Sequence, residues 1–288
     1  MGEFMDSNYK LGLYEKAMPA SLSWHDKLSA AKNSGFDYVE ISIDETEGKL
    51  SRLLWTKEIY AKLHDIIAET GVPIGSVCLS AHRKYPLGSP DEAVREKSLE
   101  IMERALDLAC ELGARVIQLA GYDVYYEDSS GRTRGLFAES LRKAVDMASK
   151  YGVLLGFETM ETPFMDTVEK AMKYVNLIDS PYLGVYPDIG NLQNAALIYG
   201  KPAYEDIITG KGHIVAAHLK ETLPDRYREV PFSTGHTDYI GCITQLKKQD
   251  VKRYVGEFWY KGSALWRDDI KNAAVFLRNK LDAVWNRA

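Results

Sequence analysis

Ala148-Ser149-Lys150-Tyr151-Gly152-Val153-Leu154-Leu155-Gly156-Phe157-Glu158 contains the transition on which the fold turns. Its first four residues end an amphipathic stretch whose spacing predicts a helix from about Leu136 to Tyr151. Gly152 suits the left-handed residue that closes a helix. Leu154–Glu158 is then a short apolar run, the pattern of a parallel strand buried on both faces, and it ends on a carboxylate.

The same helix–Gly–strand order recurs along the chain. Eight apolar runs are predicted as strands: Leu11–Tyr14, Tyr38–Ile43, Ile74–Leu79, Val116–Ala120, Leu154–Glu158, Leu183–Asp188, Ile214–Leu219 and Tyr254–Glu257. Helices are expected from Ser21 to Ser34, from Thr56 to Gly71 and from about Ala264 to Trp285. Another should run from Ser89-Pro90-Asp91-Glu92 to Leu112-Gly113, with Ser89 as N-cap, Pro90 in the first turn and Gly113 at the end. Eight strands alternating with helices predict a parallel sheet, and eight is the number that closes a (β/α)8 TIM barrel. The 288 residues suit one such domain of about 250 residues. A doubly wound open sheet would commonly carry a Gly-rich phosphate loop after its first strand; here that strand is followed by Tyr14-Glu15-Lys16-Ala17. With no linker or low-complexity tract, residues 1–288 are expected to form a single barrel domain. Gly2-Glu3-Phe4 before Met5 reads as a vector-derived scar, and residues 1–8 are expected to be a flexible N-terminal segment.

Hydrophobic residues make up 45% and charged residues 27%, enough for both a core and a soluble surface. A net charge of −5 argues against a nucleic-acid partner, which would select a broad basic face. A few Lys or Arg in one cleft would still serve an anionic substrate. Cys78, Cys110 and Cys242 form no CxxC pair and read as reduced thiols. No signal peptide and no membrane-length apolar run is apparent, so a cytoplasmic protein with no membrane partner is expected.

In a barrel of this kind, the C-terminal ends of the strands build the active site. The last four strands run into Gly156-Phe157-Glu158-Thr159, Tyr186-Pro187-Asp188-Ile189, Ala216-Ala217-His218-Leu219-Lys220 and Val255-Gly256-Glu257-Phe258. Partly buried carboxylates resist ionisation together unless a cation neutralises them. Glu158, Asp188, His218 and Glu257 are therefore read as ligands of one divalent metal ion. Three oxygens and one nitrogen without thiolate favour Mn²⁺, with Zn²⁺, Co²⁺ and Mg²⁺ as alternatives. The bland alternative is a set of buried acids paired with Lys or Arg.

Longer stretches carry a resemblance. Leu11-Gly12-Leu13-Tyr14-Glu15-Lys16-Ala17, Cys78-Leu79-Ser80-Ala81-His82-Arg83, Val116-Ile117-Gln118-Leu119-Ala120-Gly121-Tyr122-Asp123, Tyr186-Pro187-Asp188-Ile189-Gly190-Asn191-Leu192 and Gly212-His213-Ile214-Val215-Ala216-Ala217-His218-Leu219-Lys220 are the clearest. With these the chain resembles, over nearly its whole length, the L-ribulose-5-phosphate 3-epimerases of the L-ascorbate utilisation type, within the xylose-isomerase-like TIM barrels. The resemblance implies inversion at C3 of a ketopentulose 5-phosphate, interconverting L-ribulose 5-phosphate and L-xylulose 5-phosphate. It implies metal binding by Glu158, Asp188, His218 and Glu257, with Glu158 and Glu257 as the acid–base pair, and a homodimer. Val230-Pro231-Phe232-Ser233-Thr234-Gly235-His236 departs from the Gly-rich loop usual in that family.

The chemistry agrees with the residues. Inverting C3 removes a proton from one face and returns one to the other, which two carboxylates on opposite sides can do. A metal on the C2 carbonyl oxygen and C3 hydroxyl would stabilise the cis-enediolate between those steps. His82 and Arg83 after strand three, Gln118 on strand four, Asn191, Lys220 and Glu15 are expected at the substrate by position. Arg226 and Arg228 join Lys220 as candidates for the phosphate. Three alternatives stand beside this reading: a sugar enzyme acting on an unphosphorylated ketose, a phosphodiesterase of the endonuclease IV type, and a non-catalytic sugar-binding barrel. The second would need several His ligands and a basic surface.

Overall fold

In the computed structural model, which describes residues 8–286, each of the eight apolar runs becomes a parallel strand. The leader around Met5, and all of the segment 1–8 except Asn8, lie outside the described residues. The order is β1 Lys10–Tyr14, α1 Trp24–Ser34, β2 Tyr38–Ile43, α2 Glu47–Leu50, α3 Lys57–Thr70, β3 Ile74–Leu79, α4 Glu92–Glu111, β4 Val116–Ala120, α5 Gly131–Tyr151 and β5 Leu154–Glu158. It continues with α6 Val168–Ile178, β6 Leu183–Tyr186, α7 Ile189–Tyr199, α8 Ala203–Ile208, β7 Ala217–Leu219, α9 Tyr239–Lys248, β8 Arg253–Gly256 and α10 Trp266–Trp285. The sheet runs β6-β5-β4-β3-β2-β1-β8-β7. Bridges Val185–Ile214 and Asp188–His218 bring its two ends together, completing the (β/α)8 ring.

Alternation along the strands sorts the side chains into two layers. Leu11 and Leu13, Val39, Ile41 and Ile43, Ile117 and Leu119, and Leu155 and Phe157 pack outward into the main core beneath the helices. Their neighbours Tyr14, Tyr38, Cys78 and Val255 form a separate cluster inside the ring, and Val116, Tyr186 and Ala216 form another. The interior also takes polar groups, including Glu40, Ser76 and Gln118, all buried.

Several predicted boundaries move, each for a local reason. Ser89 is not the cap of α4: Asp91 accepts from Ala93 N at 2.9 Å, and Ser89 instead accepts from Asp91 N at 3.2 Å in the turn before it. α5 starts at Gly131 rather than near Leu136, because Ser130 and Thr133 form a reciprocal capping box. Gly152 closes that helix at φ 64°, as expected. β6 ends at Tyr186 rather than Asp188, since Asp188 becomes the N-cap of α7. β7 shortens to three residues, with Ile214 held by its single bridge.

Glu15 does not meet the expectation of a substrate contact. Its fully buried carboxylate accepts from Lys27 Nζ and Lys49 Nζ, each at 2.7 Å, and from Arg52 Nη1 and Nη2 at 2.6 and 2.8 Å. It also accepts from Ser42 N at 3.0 Å. One acid thus ties α1, α2 and the turn after α2 to the ends of β1 and β2. Burial alone would raise its pKa, but Arg52, Lys49 and Lys27 outweigh that and hold it far below the usual glutamate range. A carboxylate depressed on folding stabilises the protein above its unfolded pKa, and that stability disappears as pH falls. Glu15→Gln, which strands three cations around a neutral amide, is expected to lower unfolding free energy by about 3–5 kcal/mol in urea titrations at pH 7. The difference from wild type should shrink as pH drops below about 4.3, where unfolded glutamate protonates. A pH-independent difference would show that the charge of Glu15 is not the cause.

Candidate active site

The four residues read as metal ligands converge at the C-terminal mouth of the barrel. One donor atom from each of Glu158, Asp188, His218 and Glu257 lies within 4.8 Å of the other three, and all four residues are buried. Glu158 ends β5, His218 is the middle residue of β7, and Glu257 directly follows β8. The last two are tied by backbone, with Glu257 N donating to Leu219 O at 3.0 Å. Asp188 is aimed by its own cap: Oδ1 accepts from Gly190 N at 2.8 Å and Asn191 N at 3.1 Å, leaving Oδ2 for the cluster. Gly190 is required there, since a Cβ would lie 2.8 Å from Lys220 O.

His218 stands between the two glutamates. Its Nδ1 is 2.9 Å from Glu158 Oε1 and 3.4 Å from Glu257 Oε2. Its Nε2 is 2.7 Å from Glu40 Oε1. Burial alone would lower the imidazole pKa; Glu40, Glu257 and Glu158 together raise it well above the ordinary value. Burial and then Glu257 push Glu158 up. Burial also pushes Asp188 up, against Lys220. Glu257 goes the other way, because Lys220 and His218 overcome its burial.

The donor set suits a divalent ion. It offers three carboxylates and one imidazole, and Glu257 Oε2 is buried with no hydrogen-bond partner. Ligand bonds of about 2.0–2.2 Å would put two donors on one ion no more than about 4.4 Å apart, so the observed spread needs only a small contraction. The pairing with Lys or Arg that was the alternative is present in part: Lys220 Nζ pairs with Asp188 Oδ2 and lies 3.4 Å from Glu257 Oε2. One ammonium does not balance three acids, so the two readings coexist.

A recess opens above the cluster, lined by Cys78, Arg83, Glu158, Asn191, Lys220 and Trp259 among others. Lys220 and Asn191 therefore sit where expected. Asn191 Nδ2 donates to Thr159 O at 2.8 Å, while its Oδ1 is buried without a partner. Gln118 is placed behind the cluster, donating from Nε2 to Glu158 Oε2. Arg83 reaches the recess and lies 5.3 Å from the Tyr125 ring, with no ion pair among the described residues and its Nε buried without a partner. Arg228 lines the same wall and pairs with Glu161 at 2.9 Å.

His82 does not join them. It is buried, and its Nε2 meets Ser98 O at 3.2 Å, which places a ring hydrogen on Nε2 as the donor there. Burial pushes its pKa down to about 4. The several-His set of a multi-metal phosphodiesterase is therefore not assembled among the described residues. Arg226 is turned to the carbonyls of Arg228 and Glu229. The divergent loop is organised by Glu221, whose carboxylate accepts from Thr237 N at 3.1 Å and Ser233 N at 3.2 Å. His236 there meets Thr222 Oγ1 at 3.2 Å, outside the recess.

Sequence reading missed Glu40, which sits mid-strand in Tyr38-Val39-Glu40-Ile41-Ser42-Ile43 and is fully buried. The signal was there: an acid in a strand buried on both faces must find partners.

A family model described as xylose isomerase-like TIM barrel matches residues 28–280. L-ribulose-5-phosphate 3-epimerase UlaE of Salmonella paratyphi A is 43% identical over 274 residues, 95% of this chain and 93% of that protein. Among solved structures, a D-psicose 3-epimerase from Clostridium cellulolyticum H10, solved with D-tagatose, has a TM-score of 0.77 at 17% identity and covers 94% of this chain and 99% of its own. A xylose isomerase-like TIM barrel protein from Mycobacterium smegmatis in complex with magnesium has a TM-score of 0.69 at 18% identity, covering 96% of this chain and all of its own, 100%. Identity at that level speaks for the barrel alone, whereas 43% across both full lengths speaks for kinship. The chain belongs to the L-ribulose-5-phosphate 3-epimerase family of xylose isomerase-like TIM barrels.

Proposed function

We propose that this protein is a metal-dependent sugar isomerase that inverts C3 of a ketopentulose 5-phosphate, interconverting L-ribulose 5-phosphate and L-xylulose 5-phosphate. The observation that carries the reading is the pair Glu158 and Glu257 flanking one buried ligand cluster, in a chain 43% identical to an enzyme of that name. Mn²⁺ is the favoured ion, given the oxygen-rich donors; the magnesium of the Mycobacterium smegmatis protein is consistent with a divalent cation. When bound by Glu158, Asp188, His218 and Glu257, it would polarise the carbonyl beside C3 and acidify that carbon.

The protein's own groups then divide the work. One glutamate takes the C3 proton and the other returns a proton to the opposite face, with roles exchanged in the reverse direction. Gln118 fixes Glu158, and Lys220, already beside Asp188 and Glu257, can donate to a developing oxyanion. Asn191 Oδ1 is free to accept from a sugar hydroxyl. Among the described residues, Arg83 is the cation of the recess without an acid partner, and we assign it, with Arg228 beside it, to the phosphate. Guanidinium forks match phosphate oxygens. The free state of Cys78, Cys110 and Cys242 supports a cytoplasmic location, and no helix among the described residues is long and apolar enough to cross a membrane.

The two-base assignment is checked in D₂O. Glu158→Gln and Glu257→Gln should each lower kcat for epimerisation by about 10²–10⁴-fold, and each should suppress solvent deuterium entry at C3 of the one epimer whose proton that glutamate takes, read by NMR. A variant that still exchanges C3 of both epimers at the wild-type rate removes that residue from proton transfer. Arg83→Leu should raise KM for L-xylulose 5-phosphate by about 10–100-fold, the worth of charge-assisted hydrogen bonds, and leave turnover of the free sugar unchanged. Wild-type protein that turns over the free ketose but not its phosphate would instead support the unphosphorylated-ketose alternative. The proposed homodimer would cover exposed apolar residues such as Leu197, Ile198, Tyr199 and Ile208. Sedimentation should then give twice the chain mass, and Ile198→Glu should give monomer. A monomeric wild type at micromolar concentration would end that proposal.

A further inference from the structure

Glu40 is fully buried in the middle of β2, on the side of the barrel opposite β6 and β7. Its carboxylate crosses the interior and is satisfied from three strands. Oε2 accepts from Ser76 Oγ of β3 at 2.7 Å and from Tyr186 OH of β6 at 3.0 Å. Oε1 lies 2.7 Å from His218 Nε2 of β7. The Tyr186 ring also meets the imidazole edge-on, with centroids 4.8 Å apart. The mechanism proposed above uses none of these contacts, yet burying an acid so far from water is costly unless it does something for its partners.

What it does follows from the two nitrogens of His218. Nδ1 faces the cluster, 2.9 Å from Glu158 Oε1 and 3.4 Å from Glu257 Oε2. A neutral imidazole has one N–H and one lone pair, and only the lone pair can hold a metal. If the hydrogen were on Nδ1 it would point at the two glutamates, and the ligand would be lost. A carboxylate at Nε2 can only accept from a neutral ring, so it draws the hydrogen to Nε2 and leaves the Nδ1 lone pair turned to the other ligands. Ser76 and Tyr186, by donating to Oε2, keep the carboxylate from rotating away.

We infer that Glu40 is a positioning residue of the metal centre: it selects the Nε2–H tautomer of His218 and aims Nδ1 at the ion. The inference rests on the metal reading of Glu158, Asp188, His218 and Glu257 given above. Glu40 itself touches neither substrate nor ion.

The test measures ion binding directly. Mn²⁺ is titrated into wild type, Glu40→Leu, Glu40→Gln and Tyr186→Phe, and free Mn²⁺ is read by electron paramagnetic resonance at 25 °C, with circular dichroism reporting the fold. Glu40→Leu should weaken Mn²⁺ binding by about 10–100-fold, as loss of the group behind a metal-binding histidine does. Glu40→Gln, whose amide oxygen still accepts from Nε2–H, should recover most of that affinity. Tyr186→Phe, which removes one donor to Glu40 but leaves the His218 contact, should bind nearly as well as wild type. A purely structural role predicts the opposite pattern, with lower melting temperatures and unchanged Mn²⁺ affinity. Folded Glu40→Leu with wild-type affinity, or Glu40→Gln as weak as Glu40→Leu, overturns the inference. If Glu40→Leu does not fold, zinc-loaded wild type labelled with ¹⁵N-histidine decides: the His218 ring hydrogen should be on Nε2, and a hydrogen on Nδ1 overturns it. Wild type that binds no Mn²⁺ removes the metal reading itself, and this inference with it. Wild-type binding with no difference among the variants removes this inference alone.

Discussion

Four carboxylates, Glu40, Glu158, Asp188 and Glu257, are held inside one barrel together with His218 and Lys220, all buried. With every group ionised, four negative charges face two positive ones in a region that water scarcely reaches. Like charges this close resist ionisation, and the opposed shifts of Glu158 and Glu257 express that conflict. A divalent cation would resolve it. The backbone is arranged around the same need: Asp188 is fixed by capping α7, and Glu257 by its link to Leu219.

The rest of the mouth can be understood as sorting charges by whether they already have partners. Glu15 is surrounded by three cations and works as a structural clamp. Lys220 belongs to the ligand cluster. Arg228 is shared with Glu161. Arg83 alone among the cations of the recess lacks an acid partner within the described residues. An unpaired guanidinium beside the recess has capacity left for an anion, which is why Arg83, rather than His82, would suit the phosphate of the proposed substrate. A second hollow lies on the outer face, between α6, α7 and α8. There Lys170 pairs with Asp166, and Asp206 accepts from the first backbone amides of α6.

Much of this protein could be read from its residues in order. Apolar runs such as Val116–Ala120 and Leu154–Glu158 appear as strands with unchanged limits, because burial on both faces leaves a parallel strand little freedom in composition. Ligand-type side chains at the ends of four successive strands marked the buried Glu158, Asp188, His218 and Glu257 cluster for a related reason: few other arrangements tolerate such residues there. Boundaries were less legible where a side chain competes for the backbone, as when Asp91 caps α4 in place of Ser89 and Asp188 leaves β6 to cap α7.

Partnership was decided only by tertiary structure. Glu15, His82 and Arg83 all follow strands at the catalytic face, and sequence position treats them alike. The fold gives Glu15 to Lys27, Lys49 and Arg52, turns His82 to Ser98 O, and leaves Arg83 open. Glu40 and His218 are separated by 178 residues and meet only because the ring closes. Periodicity is a property of neighbours along the chain, so the sequence alone determined the strands, the barrel and the ligand types. Which buried charge faces which depends on distances across the barrel, and those exist only once it has formed.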